Sequence, residues 1–256
     1  MSRPGSSPPS RIDTSDAARE LFFVFGAATL YYLVRGLASG RSEEALANAR
    51  RVAAVEKQLG ICVESAVQAH TLRSPLQVGA WNAVYLWGHL PLLATFAAWL
   101  YTANREVYGR LRRVFLISQA LGAAIYYLFP VAPPRLMPAE YGYVDTLADR
   151  HEIHYQLGSV RLFLNEYAAM PSLHFGWSLL MTAGLLSGVG GWKAGVTAVL
   201  SPIASMASIV ATANHWVLDA VGGAAVMALA FGAERRFFGA NAGKSGSSAQ
   251  DGVSSP

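Results

Sequence analysis

The chain has 256 residues, of which 53% are hydrophobic and only 14% charged, far below the roughly 25% charged residues of a soluble domain. This composition excludes an ordinary soluble globule and implies an integral membrane protein with room for about six spans of ~20 residues each. The net charge of +4 includes no Lys/Arg-rich tract that would suggest a nucleic-acid partner, and the lone cysteine, Cys62, excludes an intrachain disulfide or a thiolate metal cage.

Residues 1–20 mix proline, glycine and serine and lack the apolar core of a signal peptide. Residues 238–256 are Ser/Gly-rich. Both are expected to be disordered tails around a membrane domain at 21–237. Leu21 to Val34 is the first expected span, extended past Arg35 by snorkelling. Ser42 is placed to cap the next helix, with Glu43 and Glu44 suited to the positive end of its dipole. Leu46, Ala49, Val52, Ala53, Leu59, Val63 and Val67 keep a helical period broken at Gly60. This segment is too charged to cross a bilayer and reads as amphipathic helix lying at the surface. A soluble hairpin over the bundle fits the same pattern.

Leu76 to Ala103 is long enough for a tilted span, with Pro91 as a kink. Asn82, Tyr85 and His89 make one polar stripe along it, either lining a cavity or satisfying itself between helices. Arg105, Arg110, Arg112 and Arg113 follow as a short, cytoplasmic loop. Val114 to Phe129 is the third span, ended by Pro130, and Phe129 to Arg135 is a rigid extended exit. The connection from Leu136 to Ala169 mixes aromatic and charged residues, among them Tyr141, Tyr143, Asp145, Arg161, Glu166 and Tyr167. Its His151-Glu152-Ile153-His154 cluster lacks the spacing of two helical zinc ligands and is read as solvated loop. Met170–Ser187, Ala194–Val210 and His215–Phe231 are spans four to six, joined by tight turns. Gly222 and Gly223 make the last of them smooth enough for close contact, and Arg235 and Arg236 follow it. With the amino terminus inside, the Arg105–Arg113 cluster, Lys193 and Arg235–Arg236 fall on the cytoplasmic side. Arg135, His174, His215 and Asp219 then converge on the outer side.

From Ala194 to Ala233 the only ionisable residues are His215 and Asp219. Four residues apart, they are expected on one face of a helix. A carboxylate in a membrane segment is costly unless paired, which makes a functional site the default reading over a polar pair gluing two helices. Pro171 is expected in the first turn of span four. There the free amides and the Ser172 hydroxyl offer an anion site beside His174. Asp219 can fix the tautomer of His215, and Arg135 can clamp a phosphate with two prongs. No Gly-x-Ser-x-Gly supplies a serine nucleophile, so phosphoryl transfer through a histidine fits better than acyl transfer.

Pro-Ser-x-His at 171–174, with Ser208, His215 and Asp219 at Ser-x6-His-x3-Asp spacing, resembles the type 2 phosphatidic acid phosphatase superfamily, whose site vanadium haloperoxidases share. The Phe129–Arg135 run with Thr212-Ala213-Asn214-His215-Trp216 looks more specifically like the inositol phosphotransferase branch, which includes inositol phosphorylceramide synthases. The resemblance covers about residues 20 to 237. It implies an all-α, polytopic six-helix bundle, with His215 as nucleophile, Asp219 orienting it and His174 as general acid. It further implies Arg135, Ser172, Asn214 and Arg161 as contacts of the phosphate or substrate. Two departures stand out. Leu128 occupies the place of the motif lysine, with Leu136 after Arg135, and Ile209 occupies the place of an arginine beside Ser208.

The expected function is therefore a cell-membrane enzyme, its site outward, that acts on a lipid-linked phosphate without metal or organic cofactor. It would hydrolyse a phosphate ester or move a head group such as phosphoinositol to a lipid hydroxyl. A catalytically dead relative serving in lipid binding or assembly is the alternative favoured by the missing charges. A b-type haem protein with histidines on facing helices is a third, which leaves Asp219 and Pro171-Ser172 without a purpose.

Overall fold

The computed structural model describes residues 40–88, 90–151 and 167–239, with Ser15, Asp16, Ala18, Glu20, Phe22, Gly26 and Thr29 near the start. The expected first span, His89, the Glu152–His154 part of the histidine cluster, Arg161 and the tail beyond 239 lie outside the described residues.

The described chain is helical, with one isolated parallel bridge, Val131 to Ala168. Its helices are α1 (Ser42–Leu59), α2 (Glu64–Leu72), α3 (Pro75–Trp87), α4 (Leu90–Ala103) and α5 (Arg105–Leu128). After two short 3-10 turns come α6 (Thr146–His151), α7 (Leu173–Gly188), α8 (Gly191–Ala211) and α9 (Val217–Phe238). By length and apolarity α8 and α9 can each cross a membrane, and α3 with α4, bent by about 40° at their break, can form a third, broken span. That bend lies next to Pro91, as the sequence predicts.

Several boundaries differ from the sequence reading, each for a local reason. Ser42 does not cap α1; it is the first helical residue, and Arg41 before it pairs with Glu44 at 2.6 Å. The arginines at 105–113 are not a loop but the opening turns of α5, because Asn104 caps them by accepting the Val107 amide at 3.1 Å. There Arg113 and Arg110 converge on buried Glu234 at 2.7 and 3.4 Å, tying the start of α5 to the end of α9. Arg105 and Arg112 pair with Asp16 and Glu20. All these basic residues gather at one end of the bundle, and α9 runs 22 residues away from them, roughly 33 Å at the helical rise.

The bundle core is made by Leu100, Val114, Tyr126, Leu173, Trp177 and Met227 with their neighbours. Backbones approach closely where α7 meets α9. A methyl group on Gly223 would sit 2.1 Å from the Ser172 carbonyl, so glycine alone lets the two helix starts touch. This bears out the smooth face expected of Gly222 and Gly223.

α1 turns at Gly60, whose φ of 69° is the left-handed conformation that favours glycine. Its inner face, Ala45, Ala49 and Val52, packs on Val131, Ala132, Met137, Ala169 and Trp216. Asn48 donates to the Pro130 carbonyl at 2.9 Å, and Gln68 of α2 bonds both backbone groups of Val144 at 2.7 and 3.0 Å. The segment before the first bent span is thus a lid on the end of the bundle away from the arginines.

Candidate active site

The site lies at that lidded end, where the exit of α5, the start of α7 and the α8–α9 turn meet. The turn sets the geometry. Ala213 has φ 53°, a left-handed conformation uncommon for a residue with a Cβ and costing roughly 1–2 kcal/mol. The amides of Asn214 and His215 both donate to the Ile209 carbonyl, at 3.0 and 3.2 Å, and the Ala213 carbonyl accepts the Arg135 amide at 2.9 Å. A strained residue held by bonds on both sides is a common mark of a working site.

His215 follows, 4% exposed. Its Nδ1 lies 2.9 Å from the Ala169 carbonyl and 3.4 Å from Asp219 Oδ2. Both partners accept, so Nδ1 carries the proton and Nε2 keeps its lone pair. The expectation that His215 and Asp219 share a helix face needs correction. His215 precedes α9; Trp216 is the cap residue and Asp219 the third helical residue. Asp219, fully buried, reaches back to accept the Trp216 amide at 2.9 Å, and the same oxygen faces the imidazole. The carboxylate is therefore a helix cap first and a histidine partner second. Trp216 fastens the turn from the other side by donating its indole N–H to the Ala132 carbonyl at 2.9 Å.

His174 is the second residue of α7. Its ring stacks on Tyr85 at 4.8 Å, leans on Trp177 at 5.4 Å and lies 5.7 Å from the His215 ring, centroid to centroid. Pro171 is not in the first turn: it precedes the cap, after a cis Met170–Pro171 peptide. Ser172 caps α7 by accepting the Phe175 amide at 3.4 Å, and its own amide donates to the Asp219 carbonyl at 2.8 Å. The Ser172 amide is thus engaged in joining α7 to α9, and its hydroxyl in capping α7.

Arg135 is aimed by two acceptors. Its Nε donates to Asn214 Oδ1 at 2.9 Å and its Nη1 to Asp145 Oδ2 at 2.5 Å. Asn214 in turn donates to the Thr212 hydroxyl at 2.8 Å. The structure so brings His174, His215, Asp219, Arg135, Asn214 and Ser172 together, and Arg161 lies outside the described residues. Ser208 is buried with its hydroxyl turned to the Ser205 carbonyl at 2.9 Å. Ile209 is buried in an apolar cluster with Val210 and Ala220, and Leu128 is 72% exposed. Neither departure position brings charge to the site.

Four contributors escaped the sequence reading. Ala169 acts through its backbone and leaves no sequence signal. Asp145, the partner of Arg135, was one acid in a long connection. Glu56 and Glu64 donate nothing to a motif, although an acid at 56 continues the Ala45, Ala49, Val52 face and was a usable sign. Of the stripe on α3, Tyr85 reaches His174, whereas Asn82 is satisfied by Thr146, donating to its carbonyl at 2.8 Å and accepting its hydroxyl at 2.9 Å. Among the described residues, no cluster of metal-binding spacing includes either site histidine or Asp219.

These features define an all-helical protein with membrane-spanning helices and a histidine pair at a junction of helix starts. A family model described as the PAP2 superfamily matches residues 50–233, more than half of the chain, and the protein belongs to that superfamily. Membership indicates a phosphatase-type enzyme. Neither a curated protein nor a solved structure matches the chain.

Proposed function

We propose that the protein is an integral membrane enzyme that processes a lipid-linked phosphate through a phosphohistidine on His215. The observation that carries this reading is the Nδ1 contact of His215 with the Ala169 carbonyl at 2.9 Å, which leaves Nε2 as a nucleophile. In the first step Nε2 attacks phosphorus, the bond to the leaving oxygen breaks, and His174 protonates that oxygen. In the second, His174 takes the proton of an incoming hydroxyl, whose oxygen attacks the phosphohistidine and releases His215. Arg135, held by Asn214 and Asp145, neutralises charge on the phosphoryl oxygens. Water as acceptor makes the enzyme a phosphatase; a lipid hydroxyl makes it a transferase. The resemblance to the inositol phosphotransferase branch favours transfer of a phospho head group such as phosphoinositol. Six spans in the cell membrane, with α1 and α2 lying at the outer surface, complete this reading.

Incubating purified protein with labelled phosphatidylinositol and phosphatidate, then separating water-soluble from lipid products, tests it. Free phosphate identifies a phosphatase and a new labelled lipid identifies a transferase. No product from either supports the second reading, a lipid-binding relative without activity, which the uncharged positions Leu128 and Ile209 favour.

This reading faces the site outward, with the α5 arginines at the opposite, cytoplasmic end, while Arg41, Arg51 and Arg135 lie at the site end. Glu140 is exposed on the site side. Glu140→Cys in a Cys62→Ser background should react with an impermeant thiol reagent in intact cells. Labelling only after lysis would reverse the orientation.

A further inference from the structure

α9 begins with two backbone amides that a membrane helix must satisfy, those of Val217 and Leu218. Neither is met by a neighbour in sequence. Val217 donates to Glu64 Oε1 at 2.9 Å and Leu218 to Glu56 Oε1 at 2.7 Å, across 153 and 162 residues. Both glutamates are fully buried, and the second oxygen of each, Oε2, is shielded from solvent with no other partner. One oxygen of each carboxyl group lies within 4.8 Å of one from the other. Two bare carboxylates at that separation, out of water, repel strongly. One proton shared by the two groups removes the repulsion and gives the pair a donor for its orphaned oxygens.

We propose that Glu56 and Glu64 are positioning residues for His215, acting as a single acid–carboxylate pair whose shared proton lets both cap the start of α9. The pair fixes the amides two and three residues after His215, and so fixes the turn that sets Nε2 against the phosphate. The surroundings suit one negative charge and not two. The positive end of the α9 dipole favours an anion there. Asp219 from α9 opposes a second charge, as do the Cys62 thiol and the Tyr143 hydroxyl if they ionise, while Lys57 on α1 is a cation that acts on Cys62. Burial, with Glu64 and Asp219 alongside, pushes the Glu56 carboxyl up to about 8.

The consequence for stability has a definite sign. Between about pH 4.5, the ordinary value, and pH 8, the folded chain keeps a proton that the unfolded chain has lost. Stability therefore falls as pH rises across that window and levels off above it. Glutamine at either position imitates the protonated partner, accepting the helix amide and donating to the remaining carboxylate. Alanine does neither.

The test measures thermal unfolding of the detergent-purified protein against pH, together with kcat and KM on the best lipid substrate. Wild type should lose melting temperature from pH 5 to 8 and lose kcat above pH 8. Glu56→Gln and Glu64→Gln should flatten the melting profile and remove that alkaline fall in kcat. Each should also retain activity that Glu56→Ala and Glu64→Ala lose, the alanine variants falling about tenfold or more in kcat with KM little changed. A wild-type melting slope that persists in both glutamine variants would overturn the shared proton. Glutamine variants as impaired as the alanine ones would overturn the positioning role. The kinetic arm rests on His215 as the nucleophile, but the melting arm needs no substrate, so failure of the pair and failure of the proposed chemistry are separable.

Discussion

His215→Ala should abolish turnover and phosphoenzyme formation together, because the imidazole beside it, His174, is the proton donor of the proposed reaction. His174→Ala should behave differently. It removes a proton donor, worth roughly 10²–10⁴-fold for an ordinary alkoxide leaving group. With p-nitrophenolate, which departs unprotonated, most of that loss should disappear and phosphohistidine should still accumulate. Rapid-quench measurement on both substrates decides the matter, and rescue of His215→Ala instead of His174→Ala would exchange the two roles. Asp219→Asn should be the mildest of the three. Losing the carboxylate costs ~10⁴-fold where it alone holds the tautomer. Here the Ala169 carbonyl holds Nδ1 more closely than Asp219 does, at 2.9 against 3.4 Å. Only the charge is lost, so the fall should be nearer ~10²-fold.

Arg135→Lys should lower kcat/KM by about 10²-fold or more, the scale of removing one preorganised donor from a developing anion. The guanidinium spans two acceptors, Asn214 through Nε and Asp145 through Nη1, and its orientation is fixed as a result. A lysine ammonium keeps the charge but has no rigid fork, so it can satisfy one acceptor only by abandoning the other. Neither Leu128 nor Ile209 can make up the difference. Steady-state kinetics of the lysine variant give the answer, and near wild-type values would move the phosphate clamp to another residue such as Arg161.

The site was legible in the sequence because charge in an apolar run is expensive. His215 and Asp219 stood out as the ionisable residues between Ala194 and Ala233, and His174 and Arg135 by the motifs around them. Their geometry was less legible. Spacing alone put His215 on the helix, whereas Trp216 caps it and bends the chain so that the contact with Asp219 runs through a capping turn. The rest was hidden for a physical reason. Hydrogen bonds from backbone carbonyls, such as that of Ala169, depend on where the chain passes and not on its side chains. Partners such as Asp145, Glu56 and Glu64 belong to segments whose composition describes only a polar surface. The helix ends were misread where a side chain cap, as at Asn104, overrides the charge pattern that suggested a loop.

The bonds that hold α9 to α1 and α2 also bear on how the enzyme is made. Synthesis and membrane insertion run from the amino terminus, so Glu64 and Glu56 precede their α9 partners by 153 and 162 residues. The turn that carries His215 is not anchored until α9 arrives beneath them. A chain still on the ribosome, or one truncated before α9, therefore lacks the assembled candidate site.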